Sequence, residues 1–193
     1  MTLPLDEVKV IDADTHMTER HDLWTSRAPA KYKDRVPHVG TVDGAAQWLV
    51  EGDIVLGRAG AGGVVDKHGR KGRSFEGLYE WEIENAHPAA YDAGARMQLL
   101  DEIGIWAQII FPGVVGLGGQ TLGELVPDVA LRNVCLEIFN DANAELQAES
   151  GNRLLPMAIL PAWDIDACVR EVERARNLGL RGVNLTSDPL RGG

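Results

Sequence analysis

Four short aliphatic runs punctuate this chain: Val8 to Ile11, Ile105 to Phe111, Leu154 to Leu160 and Gly182 to Leu185. The last three each follow a segment of helical periodicity. Apolar runs of this length without polar alternation fit strands covered on both faces, and strands alternating with helices need crossover connections, which make neighbouring strands parallel. The fold class is therefore α/β. In the helix expected before the fourth run, Ile165, Cys168, Val169, Val172 and Ala175 form an i, i+3, i+4, i+7 stripe, with Asp164 as N-cap and Gly179 as stop. A longer helix is expected over about 128–149, after Pro127, with Leu131, Val134, Cys135, Ile138, Ala142 and Leu146 on one side; a third covers Tyr91 to Ile103.

About eighty residues separate the first strand from the helix at Tyr91, far more than the roughly 2–6 of a usual β–α loop. This reads as an insertion over about 36–90. Within it Gln47 to Val50 and Ile54 to Leu56, joined through Glu51-Gly52-Asp53, predict a hairpin, and Gly57 to Gly72 reads as a flexible glycine- and charge-rich stretch. Composition limits the partners. With 19 Lys and Arg against 29 Asp and Glu, and a net charge of -10, the chain lacks the cationic excess that nucleic acid or an anionic membrane surface requires. Cys135 and Cys168 have no metal-type spacing and read as reduced thiols. The acidic N-terminus lacks the features of a signal peptide, and the apolar run from Ile105 to Gly118, broken by Gln108, Pro112 and glycines, is too short to span a bilayer. A cytoplasmic location is expected.

The first strand runs into Ile11-Asp12-Ala13-Asp14-Thr15-His16-Met17-Thr18-Glu19. Period-two alternation would send Asp12, Asp14 and His16 to one side, at the carboxyl end of a parallel strand, where α/β folds place their ligands. A carboxylate and an imidazole two residues apart make a pincer for a divalent cation; the same residues also read as turn caps beside a surface histidine. Glu19 offers a further ligand or a partner fixing the histidine tautomer. His21 lies near enough in sequence to touch substrate, whereas His38, His68 and His87 read as loop residues. Trp24, Trp48, Trp81 and Trp106 read as core or interface, and Trp163, just past a strand end, as a substrate platform. Asn140 is either a loop-orienting group or an exposed helix residue. Arg20, Arg27 and Arg96 are candidates for a substrate carboxylate. Gly116 to Gly119 departs from a dinucleotide loop at Thr121 and reads as a loop over substrate.

The run I-D-A-D-T-H-M-T-E, followed by D-L-W and K-Y-K-D-R-V-P, resembles the opening of the amidohydrolase-related metal-dependent hydrolases, the group that includes aminocarboxymuconate-semialdehyde and γ-resorcylate decarboxylases. Y-D-A-G-A-R-M-Q-L-L-D-E-I-G-I-W-A-Q-I-I-F-P, F-N-D-A-N-A, N-R-L-L-P-M-A-I-L-P and L-G-L-R-G-V-N-L resemble later blocks of the same group in the same order. The resemblance implies a (β/α)8 TIM barrel, of which residues 1–193 supply the first four β/α units and the inserted hairpin region as the N-terminal part of one barrel domain. It implies one divalent metal ion, Zn or Mn, with Asp14 and His16 as ligands and Glu19, His21, Asn140 and Trp163 near the metal or the substrate. The remaining ligands, a His after the fifth strand and an Asp after the eighth, together with the catalytic acid or base, are expected beyond Gly193.

The expected activity is that of a metal-dependent hydrolase or nonoxidative decarboxylase (carboxy-lyase) acting on a small carboxylated or aromatic molecule. No nucleic-acid or membrane partner is expected, and a homo-oligomer is. The alternative is a noncatalytic or partner-dependent half-barrel used in binding or assembly, because four strands cannot close an eight-stranded barrel and leave an open edge at Gly182 to Leu185.

Overall fold

The computed structural model describes residues 8–61, 65–71, 82–116 and 119–185. Its strands and α-helices in chain order are β1 (Ile11–His16), β2 (His38–Val42), β3 (Ala45–Val50), β4 (Ile54–Arg58), α1 (Ala93–Ile103), β5 (Ala107–Phe111), α2 (Gln120–Leu125), α3 (Val129–Glu149), β6 (Leu154–Ile159), α4 (Ile165–Asn177) and β7 (Gly182–Asn184). β1, β5, β6 and β7 form a parallel sheet in that order. The chain is thus α/β with a parallel sheet, as the alternation of runs requires. Of the earlier readings, Trp81, Leu117 and Gly118, and parts of the stretch from Gly57 to Gly72, lie outside the described residues.

The helix ends follow local chemistry. Asp92 accepts the Ala95 amide at 2.8 Å to start α1, and Gly104, at φ 74, ends it in the left-handed region. Asp128 caps α3 by accepting from Ala130 and Leu131, and Asp164 caps α4 by accepting from Ala167 at 3.0 Å, its expected role. The first strand differs from expectation. It begins at Ile11 rather than Val8 and takes in Asp12, Asp14 and His16, because its pairing runs from Ile11 opposite Ala107 to His16 opposite Phe111. Val8 and Val10 stay about half exposed at 46% and 48%.

The inserted region is a three-stranded antiparallel meander, β2-β3-β4. The expected β3–β4 hairpin is present, and β2 is an addition to it. Asp43 (φ 50) and Gly44 (φ 78) make the β2–β3 turn with both central residues left-handed, as a two-residue hairpin loop requires. The meander is no appendage. Trp48 and Val50 join Trp24, Tyr32 and Val36 in the largest buried cluster, against Leu122, Val126, Leu131, Cys135 and Phe139 of α2, α3 and the turn between them. Trp24 is fully buried, meets Trp48 edge-on at 5.3 Å between ring centroids, stacks on Phe139, and donates its indole N–H to the Cys135 carbonyl at 2.9 Å.

α4 is rotated from its expected orientation: of the expected stripe Ala175 is buried and Cys168 half-buried. Ala167, Glu171 and Ala175 are its buried residues, whereas Ile165, Val169 and Val172 are 73%, 56% and 41% exposed. Two features select that face. Ala175 meets Ala144, Ala158 and Leu180 in a cluster of mostly small residues, and the Glu171 carboxylate accepts from Asn140 and from Arg174, which also pairs with Asp141. A satisfied buried carboxylate outweighs an aliphatic stripe that finds no surface to cover it among the described residues.

Candidate functional site

The carboxyl ends of β1 and β5 meet the meander around a cleft of about 400 Å³. His16 to Glu19 form one wall, Trp48 and Leu56 to Arg58 another, and Gly113, Val114 and Thr121 close it. The backbone of β1 decides what faces this space. Asp12 lies opposite Gln108 but Thr15 lies opposite Ile110, so β1 carries one residue more than β5 between those pairs. Such a bulge resets the alternation. Asp12 becomes half-buried and accepts from the Gln108 amide at 3.1 Å, so the three acidic and imidazole residues do not share one side as the unbroken alternation would have it. Past the bulge, Thr15 is buried and donates to the Ile109 carbonyl at 2.8 Å, while Asp14 and His16 on either side of it are exposed.

His16 Nδ1 lies 3.1 Å from the Phe111 carbonyl oxygen. A carbonyl only accepts, so Nδ1 carries the proton and Nε2 keeps its lone pair free, the tautomer a metal or proton acceptor needs. Asp14 is exposed and forms no part of the cleft wall. The donor chemistry of the pair suits a borderline divalent cation, and among the described residues no cluster of three His, Cys, Asp or Glu groups completes a metal site.

Glu19 does not reach the His16 ring nitrogen bonded to Phe111. Its carboxylate accepts the Gly113 and Val114 amides at 2.9 and 3.1 Å and ties the segment after β1 to the loop after β5. A side chain on Gly113 would come within 2.8 Å of those carboxylate oxygens, so the glycine makes the close approach geometrically available. Burial raises the Glu19 pKa, opposed by hydrogen bonds from its own amide and from those of Gly113 and Val114.

The other candidates are placed outside the cleft wall. His21 Nε2 is 3.2 Å from the Ala59 carbonyl and its ring stands edge-on to Trp48, fastening the meander to the segment after β1. Asn140 is fully buried in α3; its Nδ2 donates to the Ile159 carbonyl and Glu171, and its Oδ1 accepts the Ile159 amide. Trp163 donates to Asn133 at 3.0 Å, lies under Arg132 and packs near Gly119 and Gly123. Arg20 pairs with Asp22, Arg27 makes a two-pronged pair with Glu145, and Arg96 turns inward to backbone carbonyls and Gln108.

Sequence reasoning missed Arg58. It ends β4, lines the cleft, and forms no ion pair or hydrogen bond among the described residues. Its only local signal is an Arg two residues past the expected end of a strand, which becomes informative once the meander is known to roof the cleft. A larger hollow, about 460 Å³, lies on the other side of Met17 to Glu19, between α1, α3 and the segment after β1. Its best-placed cation, Arg27, is already neutralised by Glu145.

No known family profile matches the sequence, and no curated protein matches it. Solved structures do. An amidohydrolase from Mycobacterium avium subsp. paratuberculosis K-10 superposes with a TM-score of 0.63 at 19% identity, over 90% of this chain and 48% of its own. IDCase from Metarhizium anisopliae, in its apo form, superposes with a TM-score of 0.56 at 15% identity, over 100% of this chain and 46% of its own. The chain therefore spans about half the length of the solved structures it resembles, and it shares with them the fold of that half.

Proposed function

We propose that this chain is the N-terminal part of an amidohydrolase-superfamily barrel enzyme that holds one divalent cation, Zn or Mn, through His16 and Asp14. It acts on a small carboxylated or aromatic molecule by hydrolysis or nonoxidative decarboxylation. The observation that carries the reading is the His16 imidazole at the carboxyl end of β1 and on the cleft wall, with Nδ1 committed to Phe111, which leaves Nε2 to act as the donor. The amidohydrolase fold likeness supports it.

When bound, the cation would supply Lewis acidity, lowering the pKa of water or polarising a substrate oxygen. The chain's own residues do the rest. His16 and Asp14, both exposed, would supply the donors, Glu19 holds the loop after β5 in place through two amides, and Arg58, unpaired among the described residues, would offer its guanidinium to a substrate carboxylate. Trp48 and Leu56 provide an apolar wall for an aromatic or aliphatic body. Metal analysis of the protein tests the reading: about one transition metal per chain is expected, lost on His16→Ala, and undiminished metal in that variant refutes it.

A second reading is a half-barrel that works by assembly. β1 and β7 each have an unpaired edge in the described sheet, Val183 and Leu185 are 41% and 55% exposed, and the α4 stripe is uncovered. Light scattering tests this second reading, which requires an obligate oligomer; a well-folded monomer contradicts it.

A further inference from the structure

Arg96 is a half-buried cation with no carboxylate hydrogen-bonded to it among the described residues. Its guanidinium meets three acceptors from three segments: Nε donates to the Ala89 carbonyl at 2.5 Å, Nη1 to Gln108 Oε1 at 3.0 Å, and Nη2 to the His16 carbonyl at 3.1 Å. Gln108 passes the contact on by donating to Asp12 at 3.1 Å, so the guanidinium is linked to that carboxylate through an amide. Loss of hydration accordingly lowers the Arg96 pKa, with the Asp12 charge opposing. A charge kept out of water without a direct counter-ion is costly, and here one of its three hydrogen bonds is made to the His16 carbonyl at the end of β1.

The neighbouring contacts show what is being held. The Thr18 amide donates to the Ala90 carbonyl at 2.8 Å, so the backbone is fastened on both sides of Met17 to the single unit formed by the Pro88–Ala90 turn and α1. From the sheet side, the Phe111 carbonyl fixes the His16 ring. One anchor on the His16 carbonyl, one two residues on and one on the ring leave the imidazole little freedom to rotate. Arg96 supplies the first of them, and the Ala89 bond couples it to the turn that supplies the second.

We propose that Arg96 is a positioning residue that clamps the backbone of His16 and thereby keeps its free Nε2 aimed into the cleft. The inference rests on His16 being a metal ligand. Groups that orient a ligand in this way typically change metal affinity about 10–100-fold when removed. Lysine keeps the charge, but its compact ammonium cannot span three acceptors set in a fork.

The test uses the unmodified protein and the variants Arg96→Met, Arg96→Lys and His16→Ala, with zinc and manganese titrated against a competing chelator and the His16 ring nitrogens followed by NMR in metal-free samples. In the unmodified protein the ring is expected as one fixed tautomer with the proton on Nδ1; tautomer averaging there overturns the proposal. Arg96→Met is expected to bind metal about 10–100-fold more weakly and to show averaged ring nitrogens, with Arg96→Lys between it and the unmodified protein. If Arg96→Met does not fold, Arg96→Lys decides by the same two readouts. Unmodified affinity and ring signals in a folded Arg96 variant, with metal lost in His16→Ala, refute the clamp and leave the metal reading standing. Metal retained in His16→Ala refutes the metal reading, while the ring signals still judge the clamp.

Discussion

Asn140→Ala should be among the most damaging single substitutions in the chain. The Asn140 side chain is fully buried, and it takes the place of a neighbouring strand at the end of β6: Oδ1 accepts the Ile159 amide at 2.9 Å and Nδ2 donates to the Ile159 carbonyl at 2.9 Å. Nδ2 also donates to Glu171 Oε1 at 2.6 Å. Removing the amide strands a buried N–H and a buried C=O, each worth about 1–3 kcal/mol when left unsatisfied. Glu171 loses less, because Arg174 still donates to both of its oxygens. The expected loss is about 3–5 kcal/mol, a large part of the roughly 5–15 kcal/mol that separates folded from unfolded domains. With a urea slope of about 2 kcal/mol/M the midpoint should fall by about 2 M at unchanged slope. Asn140→Asp should be at least as harmful, since it keeps the acceptor for the Ile159 amide but turns an oxygen toward the Ile159 carbonyl and the Glu171 carboxylate. A loss under about 1 kcal/mol for Asn140→Ala would show that water or a backbone shift replaces the amide, and the strand-substitute argument would fail.

Trp24→Ala should cost about 3–5 kcal/mol by emptying the contact between meander and α3, and Trp24→Phe about 1 kcal/mol for the lost bond to Cys135; equal costs in urea melts would refute the assignment of that bond. Hydrogen bonds from Arg35, then from the Leu131 and Ala130 amides, hold the Asp128 carboxyl below its ordinary value of 3.8. A lowered folded pKa stabilises at pH above the unfolded value, and that contribution disappears as pH falls from about 3.8 through the folded value. Asp128→Asn should therefore flatten the acid limb of the stability profile, and an unchanged limb would contradict the pairing. Burial pushes the Cys135 thiol up to about 12, while Cys168 is half-buried. A thiol reagent at pH 8 should label Cys168 but not Cys135 until urea is added, and rapid labelling of native Cys135 would contradict its placement.

Much of the frame is legible in the residue pattern because it depends on local rules. The three main helices start at aspartates that cap them, and three of the four parallel strands, β5, β6 and β7, coincide with aliphatic runs. What escapes depends on partners distant in sequence. β2 carries His38, Gly40 and Thr41 and has no aliphatic run; Asp43-Gly44, with Gln47 to Val50 beyond it, was the available signal. The start of β1 is set by pairing with β5, and polar residues can enter the strand where it opens into the cleft. The α4 stripe misleads because Glu171, the residue a periodicity argument turns outward, finds Asn140 and Arg174 inside. At the site, His16 is visible from its setting at a strand end, but the bulge that separates Asp12 from Asp14 is a property of the β1–β5 register. Arg58 becomes recognisable only when the meander is folded over the cleft.

That meander has two faces with opposite evolutionary freedom. Trp48 and Val50 are tied into the principal core, so trimming the insertion to a short loop would unseat Trp24 and with it the middle of α3. Arg58, by contrast, lines open space along the cleft. In the proposed enzyme the tip of β4 can therefore be rewritten residue by residue for a new substrate, whereas the roof cannot be discarded. Recognition there would be adjustable because its support is not.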